Sequence, residues 1–536
     1  MSSAGTGRSF VKTPESREGS LSRENLLARL RGGEFDLLVV GGGINGAGIA
    51  RDAALRGLRV ALVEKGDFAS GTSSKSSKLV HGGLRYLERF EFRLVRSACR
   101  ERDRLRKLAP HLVRPLAFVF PVYRGDPIGL FRLELGMLAY DFLSAFRNIR
   151  AHRPLGVRSL LALEPGLRAE GLRGGALYYD AWTDDARLVL ETTLSAIEHG
   201  AVAVNYVALE GFLKEGPKIV GARLRDRVSG QVFDVSARVV VNATGPWLDW
   251  IRRLDDPRAE PVLRLSKGVH VVLPRERVGN KNAVVIRSPR DGRIVFVLPW
   301  EGATLVGTTD TYFEGSPDSV SVDADDVEYL LEAVRAYFPG AQVGPEDVLS
   351  SFAGLRPLVK PEKELDPSAV SREEKIFESS SGLVSLGGGK LTTFRLVAQE
   401  VVDLALRRLG RGRASSVSAR VPLPGGKEPP ESVREELAEH NSVLELSLLE
   451  HLASRYGTRA RNVLAFVNGN PRLLSPLVKG RPETLAEALF HHAEELAMTS
   501  EDILERRTRL GLLAPSGACR LRELLKSEIS DLWEEK

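Results

Sequence analysis

Cysteine is nearly absent: the 536 residues contain two, Cys99 and Cys519. This excludes a disulfide framework, a cysteine-built zinc site and a C-x-x-C redox pair, and it fits a reducing compartment. No metal site is expected. Long apolar runs are also missing. No 18-residue window is both apolar and uncharged, so no transmembrane helix is expected. The opening stretch, MSSAGTGRSFVKTPESREGS, lacks the apolar centre of a secretory signal. Residues 1–34 are expected to be a disordered or helical extension. Its short helix, Arg23 to Arg31, would be capped by Ser22 and stopped at Gly32-Gly33. Internal repeats are lacking. The formal charge is +6, but the arginines are spread along the whole chain and form no block with stacking aromatics. A nucleic-acid partner is therefore not expected. The charge suits an anionic substrate or a membrane surface.

Apolar residues make up 43% of the chain, and the length calls for two or three domains. One segment has two readings. Residues 127–150, PIGLFRLELGMLAYDFLSAFRNIR, are apolar but interrupted by Arg132, Glu134, Asp141 and Arg147. They describe either an amphipathic element lying on a membrane or a helix packed on the protein's own core.

The strongest local signal lies between Asp36 and Glu64. FDLLVV (35–40) has strand length. Gly41-Gly42-Gly43-Ile44-Asn45-Gly46 follows, then a helical pattern ended by Gly57, then a second buried strand, RVALVE (59–64). A G-x-G-x-x-G turn in a β-α-β context marks a dinucleotide site. Gly41 permits the turn, Gly43 lets the backbone approach a pyrophosphate, and Gly46 lets helix and strand pack closely. The helix N-terminus supplies N–H donors to the phosphates. Glu64 can accept from adenosine ribose hydroxyls, and its charge disfavours a 2′-phosphate.

This fingerprint alone fits NAD as well as FAD. A second fingerprint, expected if a nicotinamide reduced the flavin, is missing. Instead, further motifs suit an isoalloxazine. Residues 71–88, GTSSKSSKLVHGGLRYLE, bring hydroxyls and glycines together. RVVVNATGPW (238–247) runs a strand into a turn at its C-terminal end, where open α/β sheets bind ligands. GLVSLGGGKLTT (382–393) gives strand, triple glycine and a helix starting near Leu391, whose N-terminus suits the negative charge of a reduced flavin.

Taken in order, GGGINGAGIARDAALRG, SSKLVHGGLRYLE, DDARLVL, VNATGPW, IVFVLPW, VGTTD, GLRPL and GGKLTT resemble the FAD-dependent, quinone-reducing glycerol-3-phosphate dehydrogenases. These belong among the glycine/D-amino-acid oxidase-like flavoproteins. The likeness runs from about residue 35 to 410, and ASRYGTRARNVL and LERRTRLGLL resemble the family's C-terminal domain. The implied fold is α/β. It comprises a Rossmann-like FAD-binding domain of that oxidase type (35–110, 185–260 and 350–410), an antiparallel-sheet substrate domain (111–184 and 261–349), a linker (411–430) and a helical domain (431–536). KGVHVVLP (267–274) shows strand alternation, and RIVFVLPWEGATLVGTTD (293–310) reads as a hairpin turning at Glu301-Gly302.

The implied reaction is oxidation of sn-glycerol 3-phosphate to dihydroxyacetone phosphate. Hydride passes from C2 to FAD, and electrons go on to a membrane quinone. The resemblance also implies a cytoplasmic protein held peripherally on the inner face of the cell membrane, with a homodimer as its oligomeric form. Arg85, Tyr86, Thr309, Arg356, Arg372 and Lys390 occupy the family's substrate positions, and arginine forks suit a phosphate dianion. FAD would be held by Gly41, Gly43, Ile44, Asn45, Gly46, Glu64, Thr72, Ser73, Ser74, Ser77, Lys78, Leu79, His81, Gly82, Gly83, Val207, Ala243, Thr244, Gly245, Trp247, Gly389, Lys390, Leu391 and Thr392. If residues 81–85 are helical, His81 and Arg85 share a face. His81 is the first candidate base and His270 the second. Arg356 is well placed but stays protonated. Alternatives are a glycerol-3-phosphate oxidase using O₂, an amine or amino-acid oxidase of the same superfamily, and a structural flavoprotein. The oxidases carry an added insertion that this chain lacks.

Overall fold

The computed structural model describes residues 21–84, 87, 91–144, 148–361, 366, 370, 373–412, 414–440, 444–467 and 469–522. The chain enters through helix α1 (Arg23–Arg31), where Ser22 Oγ accepts from Asn25 N at 3.3 Å. Strand β1 (Glu34–Val40), helix α2 (Ile44–Leu55) and strand β2 (Val60–Val63) follow. β1 is parallel to β2 and to the strand Val232–Asn242, which in turn is parallel to Val384–Gly387. Val202–Val204 extends the sheet beyond β2. Val40 lies level with Val63 and Asn242, so Gly41, Glu64 and Ala243 leave neighbouring strands side by side. That is the crevice where a doubly wound sheet places a ligand. Leu37–Val40, Val60–Val63 and Val239–Val241 are continuous buried apolar runs, as expected where helices cover a parallel sheet. Ile49, Ala50 and Ala53 of α2 share one core with Leu37–Val40, Val60–Val63 and Val397–Val402.

The second sheet has ten strands, antiparallel except where Ala283–Arg287 runs beside Val113–Tyr123. Its hairpin turns at Glu301-Gly302, both at positive φ (46° and 84°), between Ile294–Trp300 and Ala303–Gly307. Helix Ala324–Tyr337 backs the sheet through Leu330, Leu331 and Val334.

Two segments differ from the sequence-based boundaries. Ser350–Val359, expected with the nucleotide-binding part, pairs with Leu263–Pro274 along its whole length and so belongs to the second sheet. Leu79–Val80 joins the same sheet through Trp182 and Ala181. The stretch 411–430 is not a loose tether. Arg51 of α2 donates to Ser418 O (3.1 Å) and Val421 O (2.5 Å), binding it to the first sheet's helices.

Beyond residue 430 the chain is helical: Pro430–His440, Leu446–Tyr456, Ala460–Ala465, Leu485–Glu495 and Leu510–Leu513. Buried ion pairs fasten this part to the rest. Asp67 holds Arg507 at both oxygens (2.6 and 3.0 Å) and Arg506 (2.6 Å). Glu495 takes a two-pronged bond from Arg187 (2.6 and 2.9 Å). These arginines hold the carboxyls of Asp67 and Glu495 below the usual range, against the opposing effect of burial.

In the segment 127–150, helix Leu130–Leu143 packs on the protein's own core with one side and leaves another side exposed. It buries Leu133, Met137 and Tyr140 and leaves Phe131 (85% exposed), Leu135, Leu138 and Phe142 (69%) in the open. Among the described residues no helix is long and apolar enough to cross a membrane.

Candidate functional site

A cavity of about 1390 Å³ lies between the two sheets. It is larger than the usual 300–1,000 Å³ of a small-ligand pocket. One end is the crevice of the parallel sheet. Gly41 stands at φ 109°, and a Cβ on it would come 2.7 Å from Ala243 O. A Cβ on Gly46 would lie 1.8 Å from Gly41 O, so only glycine lets α2 start so close to β1. The first turn of α2 carries no acidic residue, which leaves its positive end to an anion.

Glu64 closes this end. Its Oε2 accepts from Gly42 N (2.7 Å) and its Oε1 from Gly66 N (2.9 Å). Burial raises its pKa, and the two N–H groups oppose that rise. Each oxygen keeps a lone pair for a ribose hydroxyl. The backbone cradle, an acid-free helix start and a fixed carboxylate fit an adenosine diphosphate half of FAD.

At the other glycine turn, Gly388 and Gly389 stand at φ 76° and 98°. One 3₁₀ turn, Leu391–Thr393, precedes helix Phe394–Arg408, so the α-helix begins three residues after the expected point. Thr392 Oγ1 accepts from His81 N (3.2 Å), tying this helix start to the His81–Gly83 stretch. Residues 81–83 are not helical, and Gly83 sits at φ 79°.

The floor comes from the antiparallel sheet. Leu263–Pro274 and Ser350–Val359 place three cross-strand pairs in a row: Ser266 opposite Arg356, Gly268 opposite Gly354, His270 opposite Phe352. Side chains alternate along a strand, so all six lie on one face. The central pair of glycines makes a trough, and the Arg356 side chain bends over it. A Cβ on Gly268 would meet the guanidinium at 2.4 Å. The fork is held by Thr308 Oγ1 (3.0 Å), Asp310 Oδ1 (3.1 Å) and Thr309 O (3.3 Å). On the far side of the trough, His270 stacks on Phe352 with ring centroids 4.9 Å apart, and its Nε2 is 2.8 Å from Ser77 Oγ. Burial, then the Arg356 and Lys78 charges, push the imidazole well below its ordinary pKa, so it is neutral near pH 7.

The cavity wall includes Gly41, Gly43, Ile44, Asn45, Glu64, Thr72, Ser73, Ser77, Leu79, His81, Gly83, Val207, Ala243, Thr244, Gly245, Trp247, His270, Arg356, Gly389, Lys390, Leu391 and Thr392. Other expected residues lie behind it. Gly46 packs under Gly41. Ser74 is buried, its hydroxyl 3.5 Å from Gly71 O. Lys78, at φ 57°, turns its side chain down to Asp185 (3.0 Å). Gly82 donates to Asp180 Oδ1 (3.0 Å) and has no room for a side chain beside Tyr140 and Cys99. Thr309 Oγ1 accepts from Val269 N (2.9 Å), so its hydroxyl is spent inside the sheet and Thr308 faces the cavity instead. Arg85, Tyr86 and Arg372 lie outside the described residues.

Ser76, of the hydroxyl-rich stretch, lines the cavity too, as do Thr308, Asp310, Arg287 and Arg293, which the sequence does not single out. Asp310 adjoins Thr309 in the VGTTD motif, and its role follows once Arg356 is placed. Arg287 and Arg293 flank a strand turn, with nothing local to distinguish them from surface arginines.

Residues 36–404 match the model of the FAD dependent oxidoreductase family, and residues 416–527 match the C-terminal domain of alpha-glycerophosphate oxidase. A glycerol-3-phosphate dehydrogenase of Synechocystis sp. is 39% identical over 494 residues, 89% of each chain. An aerobic glycerol-3-phosphate dehydrogenase of Staphylococcus haemolyticus is 36% identical over 502 residues, 91% of this chain and 89% of the relative. The crystal structure of the Bacillus halodurans glycerol-3-phosphate dehydrogenase with FAD superposes with a TM-score of 0.79 at 32% identity, covering 96% of this chain and 94% of that one. The two-sheet architecture, the glycine cradles and these likenesses over nearly the full length agree: the chain belongs to the FAD-dependent glycerol-3-phosphate dehydrogenases.

Proposed function

We propose that this protein oxidises sn-glycerol 3-phosphate to dihydroxyacetone phosphate and delivers the electrons to a quinone at a membrane surface. The observation that carries the reading is the Gly268–Gly354 trough, flanked by a fixed guanidinium and a neutral imidazole. When bound, FAD supplies the acceptor for the C2 hydride and its electron pair. The chain has three tasks around it.

The first is to hold the phosphate. Arg356 presents a fork already fixed by Thr308 and Asp310, and Lys390 adds charge from the glycine turn. Arg85 and Arg372 keep the substrate role that the family likeness gives them. The second task is to take the hydroxyl proton. His270 is placed for it, because it shares the trough with Arg356. Ser77 Oγ lies 2.8 Å from His270 Nε2, while Nδ1 is buried and, among the described residues, has no hydrogen-bond partner. The third task is to reach the acceptor. Phe131, Leu135, Leu138 and Phe142 form an apolar stripe on helix Leu130–Leu143. Leu133, Leu135, Gly136 and Ala139 of the same helix line the cavity. Leu135 belongs to both sets, so the apolar stripe adjoins the cavity wall along one helix, which suits peripheral docking and an apolar acceptor.

Anaerobic spectroscopy of the purified protein tests the substrate. The visible flavin bands should bleach on adding glycerol 3-phosphate and not on adding lactate or amino acids; the reverse pattern overturns the reading. Quinone reduction set against peroxide yield separates the dehydrogenase from an O₂-using oxidase. His270→Gln should keep its FAD and lose about 10²–10⁴ in kcat. If His81→Gln shows that loss and His270→Gln does not, the proton goes to His81.

A further inference from the structure

The buried ion pairs around helix Asp185–Glu198 reach the cavity wall at one place. Asp185, the first residue of that helix, is fully buried. It accepts from Ser76 Oγ (2.6 Å), Ser76 N (3.2 Å), Lys78 Nζ (3.0 Å) and Ala186 N (3.0 Å), and also pairs with Arg509. Ser76 Oγ in turn accepts from Lys78 N (3.0 Å). Ser76 and Lys78 thus point toward Asp185, while Ser77, between them, points the other way, to His270. Lys78 has a second route to the same ring. Its ammonium lies 5.2 Å from the centroid of Phe352, the ring on which His270 stacks.

Arg509 belongs to the far C-terminal part of the chain. It holds Asp184 Oδ1 (2.8 Å) as well as Asp185, and gives its other prong to Glu505 O (3.0 Å). Its backbone sits at φ 66°, a strained conformation for a non-glycine residue that persists only where contacts impose it. Asp184 and Asp185 are adjacent buried carboxylates. Their nearest cations are Arg509, Lys78 and Arg455, and Arg455 is shared with Glu301.

We infer that Arg509 is a positioning residue for the oxidation site, acting through Asp185 to fix the Ser76–Lys78 segment and, through Ser77, the His270 imidazole. The inference rests on His270 being the base. With Arg509 removed, the two carboxylates repel, Asp185 shifts, and Ser77 no longer presents its hydroxyl at one fixed position. The alignment of an imidazole with a C–O–H proton is the sensitive quantity, since misplacement by about 1 Å can cost 10²-fold.

The test uses the FAD-loaded full chain, with kcat expressed per bound flavin. Arg509→Met should lower kcat about tenfold with KM changed less than threefold, and Arg509→Lys should recover most of the loss. Ser77→Ala should show a loss similar to that of Arg509→Met. The double variant should be no worse than about twofold below either single one, because both act on one contact. A merely structural role lowers the thermal midpoint or the flavin content and leaves kcat per flavin intact. That result overturns the inference, as does a double variant whose losses multiply. If Arg509→Met yields no holoenzyme, Ser76→Ala carries the test, and an unchanged kcat there overturns the inference. Unimpaired His270→Gln removes the base reading and this inference with it. Impaired His270→Gln beside unimpaired Arg509→Met removes this inference alone.

Discussion

Gly268→Ala tests the site without removing a polar group. The new Cβ would lie 2.4 Å from Arg356 Nη2 and 2.6 Å from Cζ and Nη1. Ordinary carbon–nitrogen contact begins near 3.4 Å, so the guanidinium must retreat by about 1 Å. Its bonds to Thr308 (3.0 Å) and Asp310 (3.1 Å) would lengthen past hydrogen-bond reach. The backbone is unaffected, because Gly268 is an ordinary strand residue and alanine there regains about 0.5–1 kcal/mol of chain entropy. A 1 Å displacement of a substrate-holding group costs up to about 10²-fold, and losing one charge-assisted contact costs about 1.5–3 kcal/mol. We expect kcat/KM for glycerol 3-phosphate to fall about 30-fold, or about 2 kcal/mol, with FAD content and thermal midpoint at or above wild type. Steady-state kinetics with a soluble dye acceptor reads this directly. A kcat/KM within twofold of wild type, with FAD in place, would refute the assignment of Arg356 to the substrate.

Three further outcomes follow from other contacts. Glu64→Ala should purify largely free of FAD; stoichiometric flavin in that variant refutes the ribose role. Phe131→Asp combined with Phe142→Asp should weaken sedimentation with lipid vesicles by at least about 10²-fold, since burying each ring is worth about 1.5–3 kcal/mol. Turnover with a soluble acceptor should be unchanged, and unaltered vesicle binding refutes the docking face. His491, bonded to Tyr456 Oη at 2.8 Å, is held down to about 3 by burial, so the fold keeps it neutral while the unfolded chain protonates near 6.5. Its share of stability is complete above 6.5 and is lost as pH falls toward 3. At pH 5 that loss is about 2 kcal/mol. Urea midpoints at pH 7 and 5 should therefore drop less in His491→Gln than in wild type, and equal drops refute the shift.

The crevice end of the site was legible in the sequence because its signals are local. The turn between β1 and α2, the closing acid Glu64 and the motifs ending at Gly245 and Gly389 each lie within one strand-turn-helix unit, where periodicity and glycine placement speak directly. The floor was not legible. Ser266, Gly268 and His270 meet Arg356, Gly354 and Phe352 through a ladder joining segments some eighty residues apart. Neither strand alone shows that its glycine faces another glycine. Thr308 and Thr309 show the same difficulty at one residue's scale. The chain leaves the strand at Gly307, so alternation no longer tells which hydroxyl faces inward. Lys78 reads as one more polar residue in a serine-rich loop, until its positive φ sends it to a carboxylate 107 residues away. Ser350–Val359 was assigned to the wrong sheet for a related reason: an apolar strand does not declare its hydrogen-bonding partner.

The salt bridge from Asp67 to Arg507 spans 440 residues of chain. At about 5–20 residues per second, a ribosome needs roughly 20–90 s to travel from one partner to the other. Throughout that interval Asp67, Asp184 and Asp185 stand in a nascent nucleotide-binding lobe without the arginines that later neutralise them. Burying Asp67 and Asp184 in that state would carry the penalty of unpaired charge, while Asp185 would have Lys78 alone. The lobe must therefore wait, hydrated and open at this seam, until the last helices emerge. A chain interrupted before Arg506 lacks the arginines that pair with Asp67 and Asp185.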